Sequence, residues 1–460
     1  MRSLSIFGTS SDAGKSTIAL VITYLLAKKG IKVTPFKAQN VSNNSNVTDD
    51  FGEIAVPQFF TAEAIKIPTT YRQNPILLKS SGEKKAHLII NGKSVGDRSV
   101  WGYYKDLDTL KPIVKEAFLS LKNEYDTVVA EGAGSPVELN LMEKDLSNIY
   151  IAKEFDTKII LVADIEKGGV FASIWGVYNL LPKELRKNVI GVIINKFRGD
   201  IELFKEGVKI IEDRFSIKVL GVVPYKSLNL AFEDSASLTN YSQELSNAKI
   251  KVGVIKLPHI SNFNDFEPLV LDKEIDLRFI ESFDDSSDLI ILPGSKRVTD
   301  DIAWLKRRGL WKRLKSEKKI PIVAICGGYE MMFEEILDDE GVESSSKKIS
   351  GLGRFEGNVI FQKEKILKKG IYDVDSLSLY GYEIHNGVTK ELWQRKGNIF
   401  GTFLHGIFDN DNFRKKLFGN IEVTYEGYNF KRYKDDKIEE FCSFVGSYLD
   451  MDRILKEIDV

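Results

Sequence analysis

Ser3-Leu4-Ser5-Ile6-Phe7-Gly8-Thr9-Ser10-Ser11-Asp12-Ala13-Gly14-Lys15-Ser16 decides the fold. A β-prone apolar run enters a loop of small residues, and the loop ends in Lys-Ser at the head of a helix-period segment, Ser16–Lys28. Strand, glycine-bearing loop and helix in this order aim backbone N–H groups and the helix dipole at phosphate oxygens. Lys15 is placed to reach the β- and γ-phosphates of ATP, and Ser16, with Thr17 beside it, offers a hydroxyl to Mg²⁺. The candidate nucleotide contacts are therefore Gly8, Asp12, Gly14, Lys15, Ser16 and Thr17. Gly8 to Gly14 is one residue longer than G-x-x-x-x-G-K-[ST], which puts Thr9 in the first glycine slot. A Gly/Ser turn capping a helix is the bland source of such a string, and the full strand–loop–helix context argues against it.

Working outward, β-branched apolar runs recur at Ser3–Phe7, Lys32–Phe36, Thr127–Ala130, Lys158–Val162, Val189–Ile194 and Val219–Val223. Helix-period segments such as Leu110–Lys122 lie between them, so the alternation predicts βαβ units around a largely parallel sheet. Val128-Val129-Ala130-Glu131-Gly132-Ala133-Gly134 puts a carboxylate at the C-terminal end of a buried strand, where ligands of open α/β sheets sit. Glu131 is the natural Mg²⁺ partner of Ser16, and Glu53, in Phe51-Gly52-Glu53-Ile54, is a second candidate ligand.

A Ser-, Asn- and acid-rich stretch near 227–247 breaks the pattern and marks a boundary. The expected domains are 1–235, a linker at 236–249, and 250–460 closed by a C-terminal helix near Tyr433–Asp450. Strand-like runs resume at Lys251–Lys256, Leu277–Ile280, Leu289–Leu292 and Ile320–Ile325, with shorter ones at Gly357–Phe361, Gly381–His385 and Ile399–Leu404. The second half is thus α/β with a partly antiparallel end, giving a two-domain α/β protein overall.

Ile320–Ile325 runs into Cys326-Gly327-Gly328-Tyr329-Glu330. Small residues after Cys326 permit the sharp turn that exposes a nucleophile above a helix N-terminus. Leu292-Pro293-Gly294-Ser295 ends the preceding strand, so backbone N–H groups at Gly294 and Gly327 are the oxyanion candidates. A lone Cys before Gly-Gly is often inert; the elbow context raises its standing. Two histidines at strand ends compete for the base, His405 in Phe403-Leu404-His405-Gly406 and His385 in Tyr382-Glu383-Ile384-His385. Cys442, the other cysteine, reads as a small core residue.

Composition narrows the partners. The 460 residues carry 65 Lys plus Arg against 66 Asp plus Glu, so no basic field draws nucleic acid or an anionic membrane. The segment from Lys79 to Lys85 gathers three lysines that could meet carboxylates or simply be a solvated loop. No apolar run approaches the ~18 residues of a membrane span and no signal peptide precedes the phosphate loop, which predicts a cytoplasmic protein. Homo-oligomer formation is compatible with the sequence and not specified by it.

Longer blocks carry a family resemblance. Pro35-Phe36-Lys37-Ala38-Gln39-Asn40 with Asn44-Ser45, Glu131–Pro136 continuing to Asn140-Leu141, Lys144-Asp145-Leu146-Ser147-Asn148, Ala163-Asp164-Ile165-Glu166-Lys167-Gly168-Gly169, and Ile194-Asn195-Lys196-Phe197-Arg198-Gly199-Asp200 resemble the signature blocks of cobyric acid synthases over nearly the whole chain. The phosphate-loop variant likewise resembles that of biotin-pathway ATPases. The resemblance implies a dethiobiotin-synthetase-like ATPase domain fused to a class I glutamine amidotransferase domain. It implies ATP- and glutamine-dependent amidation of the b, d, e and g carboxylates of a corrinoid, adenosylcobyrinic acid a,c-diamide, by way of acyl phosphates. It places Lys15 and Ser16 on the phosphate loop, Glu131 on the magnesium motif, and Asp145 and Asp164 near the reacting carboxylate. From the residues alone, Asp145 is equally a helix cap. The amidotransferase resemblance selects Cys326 as nucleophile and His405 as base. The commonest class I pattern has Glu two residues after the His, where this chain has Ile407, so the third member of the constellation stays open. The alternatives are the a,c-diamide synthase of the same pathway and, from another class, a regulatory ATPase with a degenerate amidotransferase domain.

Overall fold

The computed structural model describes residues 1–80, 85–99, 102–103, 107–228, 230, 248–344 and 346–460. Most of the expected linker and residues 81–84 of the lysine segment lie outside the described residues. The chain forms two compact units: Met1–Ser42, Thr48–Glu233 and Asp435–Val460 make the first, Asn43–Val47 and Asp234–Lys434 the second.

In the first unit, β1 (Leu4–Gly8) leads through the phosphate loop into α1 (Lys15–Lys28), followed by β2 (Val33–Phe36), β3 (Gln39–Val41), α2 (Val56–Ala64), β4 (Ile76–Ser80), β5 (Lys85–Ile90) and β6 (Lys93–Ser99). The main sheet is completed by β7 (Thr127–Glu131), β8 (Lys158–Asp164), β9 (Val189–Phe197) and β10 (Val219–Pro224). Its order is β10-β9-β8-β1-β7-β2 and all its pairs are parallel. β1 sits between β8 and β7, with Leu4 opposite Lys158 and Val129. A strand covered on both faces needs an unbroken apolar run, and all five of its residues are buried. A second sheet, β3-β4-β5-β6, lies within the sequence between β2 and β7 and is absent from the sequence expectation.

The C-terminal helix requires a correction. Residues 250–460, closed by one helix near Tyr433–Asp450, were expected as the second domain, yet Asp435–Val460, with most of α5 (Phe430–Gly446) and all of α6 (Met451–Glu457), belongs to the first unit. Ile438, Phe441, Cys442 and Val445 join Ile18, Val21, Ile22 and Leu26 of α1 in one core. Covered by the sheet and by the chain terminus, α1 is buried nearly all round. Asp450 N–H bonds to Leu220 O at 2.7 Å and Arg2 N–H to Ile458 O at 3.1 Å, tying the terminus to β10 and the start of β1.

The second unit holds β11 (Ile250–Ile255), β12 (Ile275–Ile280), β13 (Leu289–Leu292), α3 (Val298–Arg307), β14 (Ile322–Ile325), α4 (Gly327–Met331), β15 (Asn358–Val374), β16 (Leu377–Val388), β17 (Trp393–Lys396) and β18 (Ile399–Thr402). For this numbering α5 and α6 follow in chain order. The sheet runs β12-β11-β13-β14-β18-β17, parallel except for the β17–β18 pair. β15 and β16 form a long antiparallel hairpin where two short strands were expected. Among the described residues no helix is long and apolar enough to cross a membrane.

Candidate functional site

The phosphate loop is braced from the end of β9. Asn195 Nδ2 donates to Ala13 O at 2.9 Å and Lys196 Nζ to Asp12 O at 2.5 Å. Gly14 has φ +92°, and a Cβ there would lie 2.1 Å from Asn195 Nδ2, so only glycine permits both the left-handed turn and this close approach. Lys15 is buried, its Nζ 3.2 Å from Ser10 O inside the loop. Thr17 follows on α1.

Glu131, at the end of β7, is the hub. Ser16 Oγ donates to its Oε1 at 2.7 Å, Lys37 Nζ donates to the same oxygen at 2.7 Å, and Gln58 Nε2 donates to Oε2 at 2.9 Å. A hydroxyl and a carboxylate beside a phosphate loop are hard oxygen donors of the kind Mg²⁺ takes together with phosphate oxygens. Among the described residues there is no group of three or more His, Cys, Asp or Glu placed to hold a metal ion. Glu53 is completely buried, with its carboxylate paired to the ammonium of Lys79.

Asp164 ends β8, 5% exposed, 3.2 Å from Lys196 Nζ and accepting Glu166 N–H at 2.8 Å. Lys196 thereby bridges Asp164 to the phosphate loop. Asp145 turns inward on its own loop, with Oδ1 accepting N–H from Ser147 (2.8 Å) and Asn148 (2.6 Å) and Oδ2 accepting Asn148 Nδ2 at 2.8 Å. Burial pushes its carboxyl above the usual range, and these N–H bonds oppose the shift. Asn148 also donates to Ala133 O at 2.8 Å, pinning the loop that follows Glu131. These contacts close the turn ahead of the helix that begins at Ile149, whose N-cap is Asn148.

In the second unit Cys326 sits between β14 and α4 with φ 50° and ψ −114°, a strained geometry for a side-chain-bearing residue. Its N–H is held by Thr402 O at 2.8 Å. A Cβ at Gly328 would lie 2.2 Å from Leu292 O, and one at Gly327 2.7 Å from Ser295 N, so the elbow packs directly on the Pro293–Ser295 loop. Gly294 faces the His405 ring, the ring carbon Cε1 lying 3.5 Å from where its Cβ would be.

His405 is completely buried. Its Nδ1 is 2.7 Å from Asp265 Oδ2, and the other Asp265 oxygen accepts Gly406 N–H at 3.0 Å. Burial alone would lower the imidazole pKa; negative charge on the Asp265 carboxylate and on the Cys326 sulfur outweighs it and pushes it up to about 10. Nε2 is buried without a hydrogen bond, leaving it available for a proton in transit. Both nitrogens of His385 are occupied, Nδ1 by Gly387 O at 2.7 Å and Nε2 by Glu383 at 3.2 Å, and its ring stacks on Phe403. Asp265 escaped the sequence reading because it lies 140 residues before His405, in Asn262-Phe263-Asn264-Asp265-Phe266, with no motif around it. Glu330, on α4, is also fully buried, and its carboxyl is pushed up to about 8 by that burial, against the Gly387 N–H.

A nucleotide-binding parallel sheet and a Cys–His–Asp site at a strand–helix elbow, carried on one chain, define a glutamine amidotransferase-type amidoligase. Residues 4–237 match the CobQ/CobB/MinD/ParA nucleotide binding domain, and residues 251–413 the CobB/CobQ-like glutamine amidotransferase domain. The chain is 53% identical to the cobyric acid synthase of Acinetobacter baylyi, covering 100% of this chain and 99% of that one. It is 38% identical to the cobyric acid synthase of Listeria monocytogenes over 99% of this chain and 96% of that one, and 38% to a probable cobyric acid synthase of Methanosarcina barkeri over 100% and 99%. The chain belongs to the cobyric acid synthase family, enzymes of cobalamin biosynthesis.

Proposed function

We propose that this enzyme amidates the b, d, e and g carboxylates of adenosylcobyrinic acid a,c-diamide, using ATP and glutamine, to give adenosylcobyric acid. The observation that carries the reading is the pairing, in one chain of this family, of the Ser16–Glu131–Lys37 constellation with the Cys326–His405–Asp265 site.

A carboxylate is a poor acyl donor, so it first attacks the γ-phosphorus of ATP and ADP leaves. The product is an acyl phosphate. Lys15 and the loop N–H groups hold the transferring phosphoryl group, while Ser16 and Glu131 are the residues that would hold Mg²⁺. When bound, Mg²⁺ supplies charge neutralisation at the phosphates. Asp164, fixed against Lys196, is the acidic residue assigned to the reacting carboxylate, and Asp145 keeps the loop after Glu131 in shape.

At the other site the Cys326 sulfur attacks the glutamine carboxamide, and N–H groups at Gly294 and Gly327 receive the oxyanion. His405, protonated at neutral pH beside the Cys326 sulfur, delivers its proton to the departing ammonia, with Asp265 fixing the ring so that Nε2 faces the reaction. Water then cleaves the thioester to glutamate. Ammonia attacks the acyl phosphate, phosphate leaves, and the amide forms. The expected location is the cytoplasm, and the substrates are the corrinoid, ATP and glutamine.

Mass spectrometry of adenosylcobyrinic acid a,c-diamide incubated with enzyme, ATP, Mg²⁺ and glutamine tests this. Four successive carboxylate-to-amide conversions are expected. An unchanged substrate together with amidation of cobyrinic acid itself would reassign the enzyme as the a,c-diamide synthase.

A further inference from the structure

We infer that Gln58 is a positioning residue for the metal-site carboxylate and links Glu131 to the backbone of β3. This rests on the nucleotide-site reading above. Gln58 is 2% exposed on α2, outside the phosphate-loop stretch Gly8–Thr17. Its two amide ends are both engaged by side chains: Nε2 donates to Glu131 Oε2 at 2.9 Å, and Oε1 accepts from Asn40 Nδ2 at 3.2 Å. Asn40 is itself oriented, because its Oδ1 accepts the N–H of Val41 at 2.9 Å.

The polarity of this chain is not arbitrary. A backbone N–H can only donate, so Asn40 must turn its oxygen toward Val41 and its NH₂ toward Gln58. Gln58 must then turn its oxygen toward Asn40 and its NH₂ toward Glu131. One fixed peptide group therefore sets the orientation of two buried amides and ends on one named carboxylate oxygen. With Oε2 held by Gln58, Oε1 is the oxygen left to accept from Ser16 and Lys37. Ser16 then has its proton on Glu131 and its lone pairs free for a cation.

Without the Gln58 bond, the Glu131 carboxylate can rotate about its last torsion and follow the Lys37 ammonium alone. Ser16 loses a defined proton acceptor, and the cation site loses its preset oxygen. Outer partners of metal-site ligands are typically worth about 10- to 100-fold in metal affinity. The start of the relay is also informative. Val41 is 64% exposed on β3, directly after the Pro35–Asn40 block. A displacement of that strand would reach Glu131 through two hydrogen bonds.

The test is a Mg²⁺ titration of the binding of a fluorescent ATP analogue to full-length enzyme, with and without EDTA, alongside melting temperature and glutaminase rate. Gln58→Met keeps side-chain length and removes both hydrogen bonds. The Mg²⁺ midpoint is expected to rise about 10-fold, while metal-free nucleotide binding and the glutaminase rate stay at wild-type values. Asn40→Asp retains the acceptor for Val41 and removes the donor to Gln58; a rise in the same direction is expected, with the double variant no worse than Gln58→Met. An unchanged midpoint in Gln58→Met overturns the inference. So does an equal loss of binding with and without metal, which is the signature of a packing defect. Should Gln58→Met fail to fold, an unchanged midpoint in Asn40→Asp overturns it instead. A wild-type enzyme whose nucleotide binding ignores Mg²⁺ would sink the nucleotide-site reading itself, a result separable from either variant's.

Discussion

Asp265 changes what His405 can do. A buried imidazole ordinarily gives up its proton easily, whereas here the carboxylate at 2.7 Å and negative charge on the neighbouring Cys326 sulfur raise its pKa from 6.5 to about 10. The folded protein thus holds this proton more tightly than the unfolded chain, so its stabilisation is complete below pH 6.5 and is lost as pH climbs through 10. Asp265→Asn is expected to flatten the fall of melting temperature between pH 6.5 and 10. It should also reduce the glutaminase rate by about 10²- to 10⁴-fold, the usual range for a misplaced acid–base group, without altering nucleotide binding. Glu330 acts in the same direction: raised from 4.5 to about 8, its carboxyl penalises the fold increasingly as pH rises through that window. Glu330→Gln removes the penalty, so its melting temperature should exceed wild type at pH 8.5 and match wild type at pH 4.5. Cys326→Ala separates the two chemistries most simply. Glutamine-supported amidation should vanish while amidation supported by ammonium chloride persists; loss of both would mean that ammonia is not the species transferred.

At the scale of elements, the legible parts were those whose burial leaves an unambiguous pattern. The six strands of the first sheet read correctly because each carries a short, mainly apolar run, as Leu4–Gly8 does with only Ser5 polar. The sheet β3-β4-β5-β6 was missed because β6, Lys-Ser-Val-Gly-Asp-Arg-Ser, is mostly exposed and looks like loop. The β15–β16 hairpin was read as two short strands for a similar reason: Lys363, Glu364 and Lys365 sit mid-strand on β15, so only the apolar ends, such as Val359 and Phe361, announced themselves. The strand–turn–helix elbow, by contrast, was legible from Cys326-Gly327-Gly328, since that turn admits so few side chains. Its geometry yields a sharp expectation. A methyl group at Gly328 would meet the Leu292 carbonyl oxygen, a backbone atom with little freedom to move. Gly328→Ala should therefore displace the thiol and lower the glutaminase rate at least about 100-fold, the scale set by an ångström of misplacement. Nucleotide binding by the same variant, measured in parallel, should be unchanged.

For the whole molecule, the informative departure is the destination of the C-terminus. Helix α5 was legible as a helix, yet an apolar stripe such as Ile438, Phe441, Cys442 and Val445 does not say which core it will join. Here it joins the core around α1, with Ile454 and Ile458 following, so in sequence the second unit is an insertion between β10 and the helix that finishes the first. The thiol of Cys442, pushed up to about 12 by burial, behaves as one more apolar group in that core. This arrangement makes a fragment ending at residue 235 an incomplete fold, although the nucleotide motifs all lie within it. Removing six buried apolar side chains forfeits about 1.5–3 kcal/mol each, against a net domain stability of about 5–15 kcal/mol. Residues 1–235 alone should therefore show no cooperative melting transition by circular dichroism and no ATP-analogue binding. The same fragment joined through a short flexible linker to residues 430–460 should recover both. A cooperative, nucleotide-binding 1–235 fragment would show that the phosphate loop is organised by the parallel sheet alone, and that the terminal helices only add to a fold already complete.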